Sequence, residues 1–133
     1  MKLEEFSQDN FEQASKRLIR SLTRGKTTSS HPKAILLGGQ SGAGKTTIHR
    51  IKQREFQGNI IIIDGDSYRS FHPNYLGLQE KYGKDSVDYT KVFAGQMVEY
   101  LVDELSKKRF SFINRGYLEN NRSSPKNGPI IGN

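Results

Sequence analysis

Ile35-Leu36-Leu37-Gly38-Gly39-Gln40-Ser41-Gly42-Ala43-Gly44-Lys45-Thr46 is the stretch on which the reading of this chain turns. Gly39 through Thr46 fits G-x-x-x-x-G-K-S/T at every position, the pattern of a phosphate-binding loop. Glycines let the backbone curl so that successive N–H groups face an anion, which a Cβ would obstruct. A lysine at the seventh position carries a mobile charge to the β- and γ-phosphates, and the hydroxyl after it can ligate Mg²⁺. The short apolar run Ala34–Leu37 before the glycines reads as a strand, and Thr46–Phe56 after them can form a helix. That strand–loop–helix order separates the motif from an accidental glycine-rich turn, and the helix aims its positive end at the same phosphates.

Outward from this loop, the bulk properties set limits. The chain has 133 residues, enough for one domain at most. With 33% hydrophobic and 26% charged residues and a mean hydropathy of −0.73, the core has to come from a few concentrated runs. There is no cysteine, which excludes disulfides and thiol chemistry. No signal-peptide h-region and no run of 18 apolar residues is present, so the expectation is a cytoplasmic protein with no membrane span. The net charge of +7 fits attraction of polyanionic nucleotides to the loop. It also admits nucleic-acid binding, but the basic residues are scattered and no aromatic or Cys/His recognition pattern accompanies them, so nucleic acid is not expected as the main partner.

Residues 6–22 space Phe6, Phe11, Ala14, Leu18, Ile19 and Leu22 as an amphipathic helix, packed on the domain or on a partner. Thr23–Pro32 reads as a linker on composition. A first strand is expected over Lys33–Gly38, the phosphate-loop helix over Lys45–Phe56, and a second strand over Ile60–Ile63. Four successive isoleucines suit a parallel strand buried on both faces. The fold class that follows is α/β, a P-loop kinase-like parallel sheet flanked by helices.

Asp64-Gly65-Asp66-Ser67-Tyr68-Arg69 follows that second strand directly. In open parallel sheets ligand-handling residues gather at the carboxyl ends of the strands, which puts Asp64 and Asp66 on the rim of the phosphate loop. A carboxylate there can accept a hydroxyl proton or hold Mg²⁺ through water, whereas the blander reading has Asp66 or Ser67 capping a helix. Tyr89–Lys108 is the longest helical pattern, with Phe93, Met97, Leu101 and Leu105 in an i, i+4 ladder that reads as core packing. Glu99 lies off that ladder. A third strand begins near Phe110–Ile113, and Asn114–Asn133, with five Asn, three Gly, two Pro and two Ser, reads as a disordered tail. His31, His49 and His72 lack metal-site spacing and read as surface or loop residues. Ser41 lacks the frame of a hydrolase nucleophile.

With the phosphate loop, Asp64-Gly65-Asp66 and His72-Pro73-Asn74-Tyr75 in view, the chain resembles the zeta toxin family, and within it the PezT-type toxins of toxin–antitoxin pairs. The likeness runs from the N-terminal helix through Ser21–Lys26 and Ala34–Arg50 to about Lys107. It implies an ATP-dependent kinase that phosphorylates the 3′-hydroxyl of UDP-N-acetylglucosamine and so blocks peptidoglycan synthesis. By position, Gly39, Gln40, Ser41, Gly42, Ala43, Gly44, Lys45, Thr46 and Thr47 would bind ATP, with Thr46 on Mg²⁺. Lys45 and Asp66 would be catalytic, Asp66 as general base, and Glu99 would lie near the sugar nucleotide. A cognate antitoxin is the implied protein partner.

The sequence departs from the family after the long helix. Where relatives carry an Ile-Glu-Gly-Thr-like segment, this chain reads Phe112-Ile113-Asn114-Arg115-Gly116-Tyr117, without the Glu and Thr. The further strands and lid arginines that follow in the family have no counterpart. The expectation is therefore an incomplete kinase domain over 1–113, a non-family tail over 114–133, and little or no activity. The alternatives are a non-catalytic fragment that binds nucleotide or antitoxin, and an unrelated P-loop NTPase.

Overall fold

In the computed structural model, which describes residues 2–36 and 42–115 and only the backbone of 42–46, the apolar runs become three parallel strands. These are β1 (Ala34–Leu36), β2 (Ile61–Ile63) and β3 (Phe112–Asn114). The last strand in sequence takes the central place, in the order β1-β3-β2. Ile35 and Ile62 both lie level with Ile113, so Leu36, Ile63 and Asn114 end together at one edge. Among the described residues there are four α-helices: α1 (Gln8–Thr23), α2 (Gly42–Glu55), α3 (Tyr75–Tyr82) and α4 (Val87–Lys107). Short 3₁₀ segments at Gly65–Phe71 and Gly83–Ser86 precede α3 and α4.

The strands are short and apolar because both faces are covered. On one face Ile61, Ile63 and Phe112 join Phe11, Ala14 and Leu18 of α1 and the α4 residues Phe93, Met97, Leu101 and Leu105. On the other, Ile60 and Ile113 pack with Ile35, Ile48 and Phe56. The ladder expected on α4 is thus core, and α1 spends its apolar stripe on this domain. Ser7 opens α1 as its N-cap, its Oγ accepting from the Asn10 N–H at 3.0 Å.

Two helices stop by the same device. After α2 the Gly58 N–H reaches the Gln53 carbonyl and Gln57 N–H the Arg54 carbonyl. After α4 the Phe110 N–H reaches Leu105 and the Arg109 N–H reaches Ser106. These paired bonds define a Schellman motif, whose C′ residue takes a left-handed conformation that favours glycine. Here non-glycine residues occupy it, Gln57 at φ 54° and Arg109 at φ 67°.

The structure moves several expected boundaries. The α2 helix begins at Gly42 rather than Lys45, so the last glycines of the motif already belong to the helix. The third strand runs Phe112–Asn114, because Phe110 is used to close α4. Residues 23–32 are fastened rather than a free linker: Asn59 Oδ1 accepts from the Thr27 N–H at 2.8 Å, and Arg109 Nε donates to the Ser29 carbonyl at 3.2 Å. His72 is buried, not on the surface. Its Nδ1 accepts from the Asn74 N–H at 2.9 Å, which leaves Nε2 to donate to the Glu4 carbonyl at 2.9 Å. The expected tail lies outside the described residues from 116 onward.

Candidate functional site

The carboxyl ends of β1, β3 and β2 form one rim. From β1 the chain passes through residues 37–41, outside the description, and re-emerges as the N-terminus of α2 at Gly42. Gly39, Gln40 and Ser41 therefore fall outside the described residues, as do the side chains of Gly42 through Thr46, Lys45 included. Within the description, a 14-residue helix follows the strand in sequence, and the N–H groups at a helix start can face an anion. Thr47 is exposed on the first turns of that helix.

From β2 the chain enters Asp64 and then the 3₁₀ segment. The Asp64 carboxylate is held twice: Ser67 Oγ donates to Oδ2 at 3.0 Å, and an Arg115 guanidinium N–H donates to the same oxygen at 3.2 Å. Arg115 directly follows β3, and its backbone N–H donates to the Ile63 carbonyl at 3.1 Å, which extends the ladder by one residue. Asp66 projects from the first turn with its side chain 76% exposed, and Arg69 Nε lies 3.6 Å from its Oδ1. An exposed pair at that distance is worth about 0–1 kcal/mol, so the Asp66 carboxylate is only loosely engaged. Arg69 also donates to the Val87 carbonyl at 2.6 Å and to Thr90 Oγ1 at 3.1 Å, fixing the rim to the start of α4.

Beneath the rim Tyr68 is buried, and its hydroxyl accepts from the Asp64 N–H at 3.3 Å. Burial pushes the Tyr68 phenol up to about 12, with the nearby Asp64 carboxylate adding to the rise and that backbone bond opposing it.

Asp64 and Asp66 directly follow β2, on the edge where β1, β3 and β2 end together. Glu99 is exposed on α4, about 18 Å along the axis from Val87, off the buried stripe. Arg115 falls in the stretch expected to be a non-family tail. It too directly follows a strand, so the strand-end pattern that points to Asp64 points equally to Arg115. Among the described residues no group of three His, Cys, Asp or Glu side chains is placed to hold a metal ion. A magnesium ion at a phosphate site needs only one or two carboxylates beside the phosphates. Asp64 is ion-paired to Arg115, whereas Asp66, only loosely engaged by Arg69, leaves an exposed carboxylate of the kind that can hold a magnesium ion through water.

The family model described as zeta toxin matches residues 18–127, a span that crosses the boundary expected between 113 and 114. Toxin PezT of Streptococcus pneumoniae serotype 4 (strain ATCC BAA-334 / TIGR4) is 58% identical over 133 residues, which is 100% of this chain and 53% of that protein. Toxin zeta of Streptococcus agalactiae is 34% identical over 112 residues, covering 84% of this chain and 39% of its own length. A solved structure from the molecular and structural characterization of the PezAT chromosomal toxin-antitoxin system of Streptococcus pneumoniae superposes with a TM-score of 0.85 at 62% identity. It matches 90% of this chain and 50% of its own. The chain spans about half the length, or less, of these relatives. No helix among the described residues is long and apolar enough to cross a membrane.

Proposed function

Because the chain belongs to the zeta toxin family, we propose that its rim is the site of a sugar-nucleotide kinase, working in the cytoplasm on ATP and UDP-N-acetylglucosamine. The observation that carries this reading is the exposed Asp66 carboxylate on the turn directly after β2, at the edge where the three strands end. When bound, ATP supplies the transferable phosphoryl group. Backbone N–H groups of Gly39–Thr47 and the Lys45 ammonium would hold its phosphates. Asp66 would take the proton from the sugar 3′-hydroxyl as the oxygen attacks, the role of a positioned base in phosphoryl transfer. Glu99 is the proposed contact to the sugar nucleotide. When bound, the magnesium ion expected at the Thr46 hydroxyl would offset the charge of the phosphates.

A cognate antitoxin is the proposed protein partner, on the strength of the relative studied within a toxin–antitoxin system. The second reading is nucleotide or antitoxin binding without turnover. It is favoured by Arg115, a cation standing in the segment where relatives carry a glutamate. An unrelated P-loop NTPase is set aside by family membership.

Mass-spectrometric detection of phosphorylated UDP-N-acetylglucosamine, beside nucleotide affinity, tests the proposal. Lys45→Ala should weaken ATP binding about tenfold or more, whereas Asp66→Asn should keep binding and abolish product. Product formation indifferent to Asp66→Asn would refute the assignment of the base. ATP binding with no product in the natural chain selects the second reading.

A further inference from the structure

The three strands also begin together, Ala34 and Ile61 lying level with Phe112. At this end, opposite the rim, three connections are tied into one surface. Lys26 Nζ donates to the Gly58 carbonyl at 2.6 Å, and the Thr27 N–H to Asn59 Oδ1 at 2.8 Å. The Ser29 N–H donates to the Arg109 carbonyl at 2.9 Å, and the Lys33 N–H to Ser111 Oγ at 3.0 Å. Residues 24–33, 52–60 and 107–111, far apart in sequence, thereby become neighbours.

Their charge is one-sided. These segments hold eight Lys and Arg and a single acid, Glu55. Glu55 pairs with Lys52, and Asp103 and Glu104 of α4 pair with Lys107 and Lys108. Eight cations less these three carboxylates leave five charges, most of the chain's net +7. The five are Arg24, Lys26, Lys33, Arg54 and Arg109, none with a carboxylate partner among the described residues. Arg24, Arg54 and Arg109 are exposed, and Lys26 and Lys33 are half-buried. Hydroxyls stand among them. Thr27 Oγ1 accepts from Asn59 Nδ2 and Ser29 Oγ from the His31 N–H, both at 3.0 Å, so each keeps its own proton to donate. No large apolar side chain of these segments is exposed, because Phe56 and Phe110 pack against the two cores.

We propose that this end of the sheet binds the phosphate backbone of double-stranded DNA without regard to base sequence. The basic residues are scattered in chain order, but the fold collects them. A protein partner would need apolar or aromatic anchors at the centre of its interface, and these segments expose none. A single strand would need exposed rings on which its bases stack, and the same absence excludes it. What the surface does offer is Arg and Lys charge with hydroxyl donors on connections already held in place. Those are the groups that grip phosphate oxygens without reading bases. The proposal is independent of the kinase reading, which concerns the other end of the sheet.

Fluorescence anisotropy of a labelled DNA duplex of about 20 base pairs, titrated with the full chain between about 50 and 200 mM salt, tests this. Five phosphate contacts predict a slope of about −4 to −5 in the logarithm of affinity against that of salt. Arg24→Gln combined with Arg54→Gln should reduce the slope by about 2 and weaken binding at about 100 mM salt by tenfold or more. Lys81→Gln combined with Lys84→Gln removes the same charge from exposed positions at the other end and should leave slope and affinity unchanged. Absence of binding at about 50 mM salt overturns the proposal, and so does an equal loss in the two double variants, which would reduce the effect to net charge. Poly-glutamate or phosphatidylserine vesicles held more tightly than the duplex at the same salt would likewise overturn it, in favour of an acidic protein or a membrane surface. Should the Arg24 and Arg54 double variant not fold, Arg24→Gln alone carries the test, with a slope change of about 1.

Discussion

Gln57 and Arg109 occupy the same backbone position in two copies of one motif, yet glycine substitution should move stability in opposite directions. Each is the left-handed C′ residue of a Schellman motif, at φ 54° and φ 67°. Holding an L-residue there costs about 1–2 kcal/mol. Glycine removes that cost but adds freedom to the unfolded chain, worth about 0.4–1 kcal/mol. Gln57 is exposed, and among the described residues its side chain has no hydrogen bond to lose. Gln57→Gly should therefore stabilise by about 0.5–1 kcal/mol and raise Tm by about 3 °C. Arg109 differs in what its side chain does. It donates to the carbonyls of Ser29 and Ser30, holding the segment that enters β1 against the end of α4. Two such bonds, solvent-accessible but charge-assisted, are worth about 1 kcal/mol each. Arg109→Gly then loses about 2 kcal/mol against a gain of about 0.5–1, a net destabilisation of roughly 1–1.5 kcal/mol. Urea denaturation of both variants beside the natural chain reads this as Cm shifts of opposite sign at constant m. An increase in Cm for Arg109→Gly equal to that for Gln57→Gly would refute the claim that the guanidinium fastens this loop.

Tyr68 should govern alkaline unfolding. Its phenol is raised from 10.0 to about 12 by burial, so the stability tied to its neutral form is full below pH 10 and lost as pH rises through 12. The loss is about 2–3 kcal/mol. Tyr68→Phe should push the alkaline midpoint upward, monitored by circular dichroism, at a cost near neutral pH of about 1 kcal/mol for the bond from Asp64; an unmoved midpoint would count against burial as the cause. Phe93, fully buried with Phe6 at 4.9 Å and Phe11 at 5.7 Å between ring centroids, should lose about 3–5 kcal/mol as Phe93→Ala. A Phe6→Leu and Phe93→Leu double-mutant cycle should show about 0.5–1.5 kcal/mol of coupling, and zero coupling would mean the edge-to-face pair adds nothing beyond burial.

Local spacing carried a large part of this molecule. The i, i+4 ladder of α4 is legible because helix period alone places Phe93, Met97, Leu101 and Leu105 on one side, and all four are buried. The isoleucine run predicts a doubly covered parallel strand, and Ile61 and Ile63 are buried in β2. Asp66 is legible at the rim because strand ends and ligand sites coincide in parallel sheets. The phosphate loop is read wholly from residue order.

What tertiary structure alone decided is pairing between distant positions. His72 reads as a loop histidine, yet it is buried between the Glu4 carbonyl and the Asn74 N–H. The Thr23–Pro32 stretch has a linker's composition, yet Asn59 and Arg109 tie it down. Arg115 reads as the start of a tail, yet it pairs with Asp64, a residue 51 positions earlier. Residue order encodes periodicity and turn chemistry, which act within a few positions. It does not display which polar groups converge once β3 inserts between β1 and β2, because that meeting is set by the register of strands far apart in the chain.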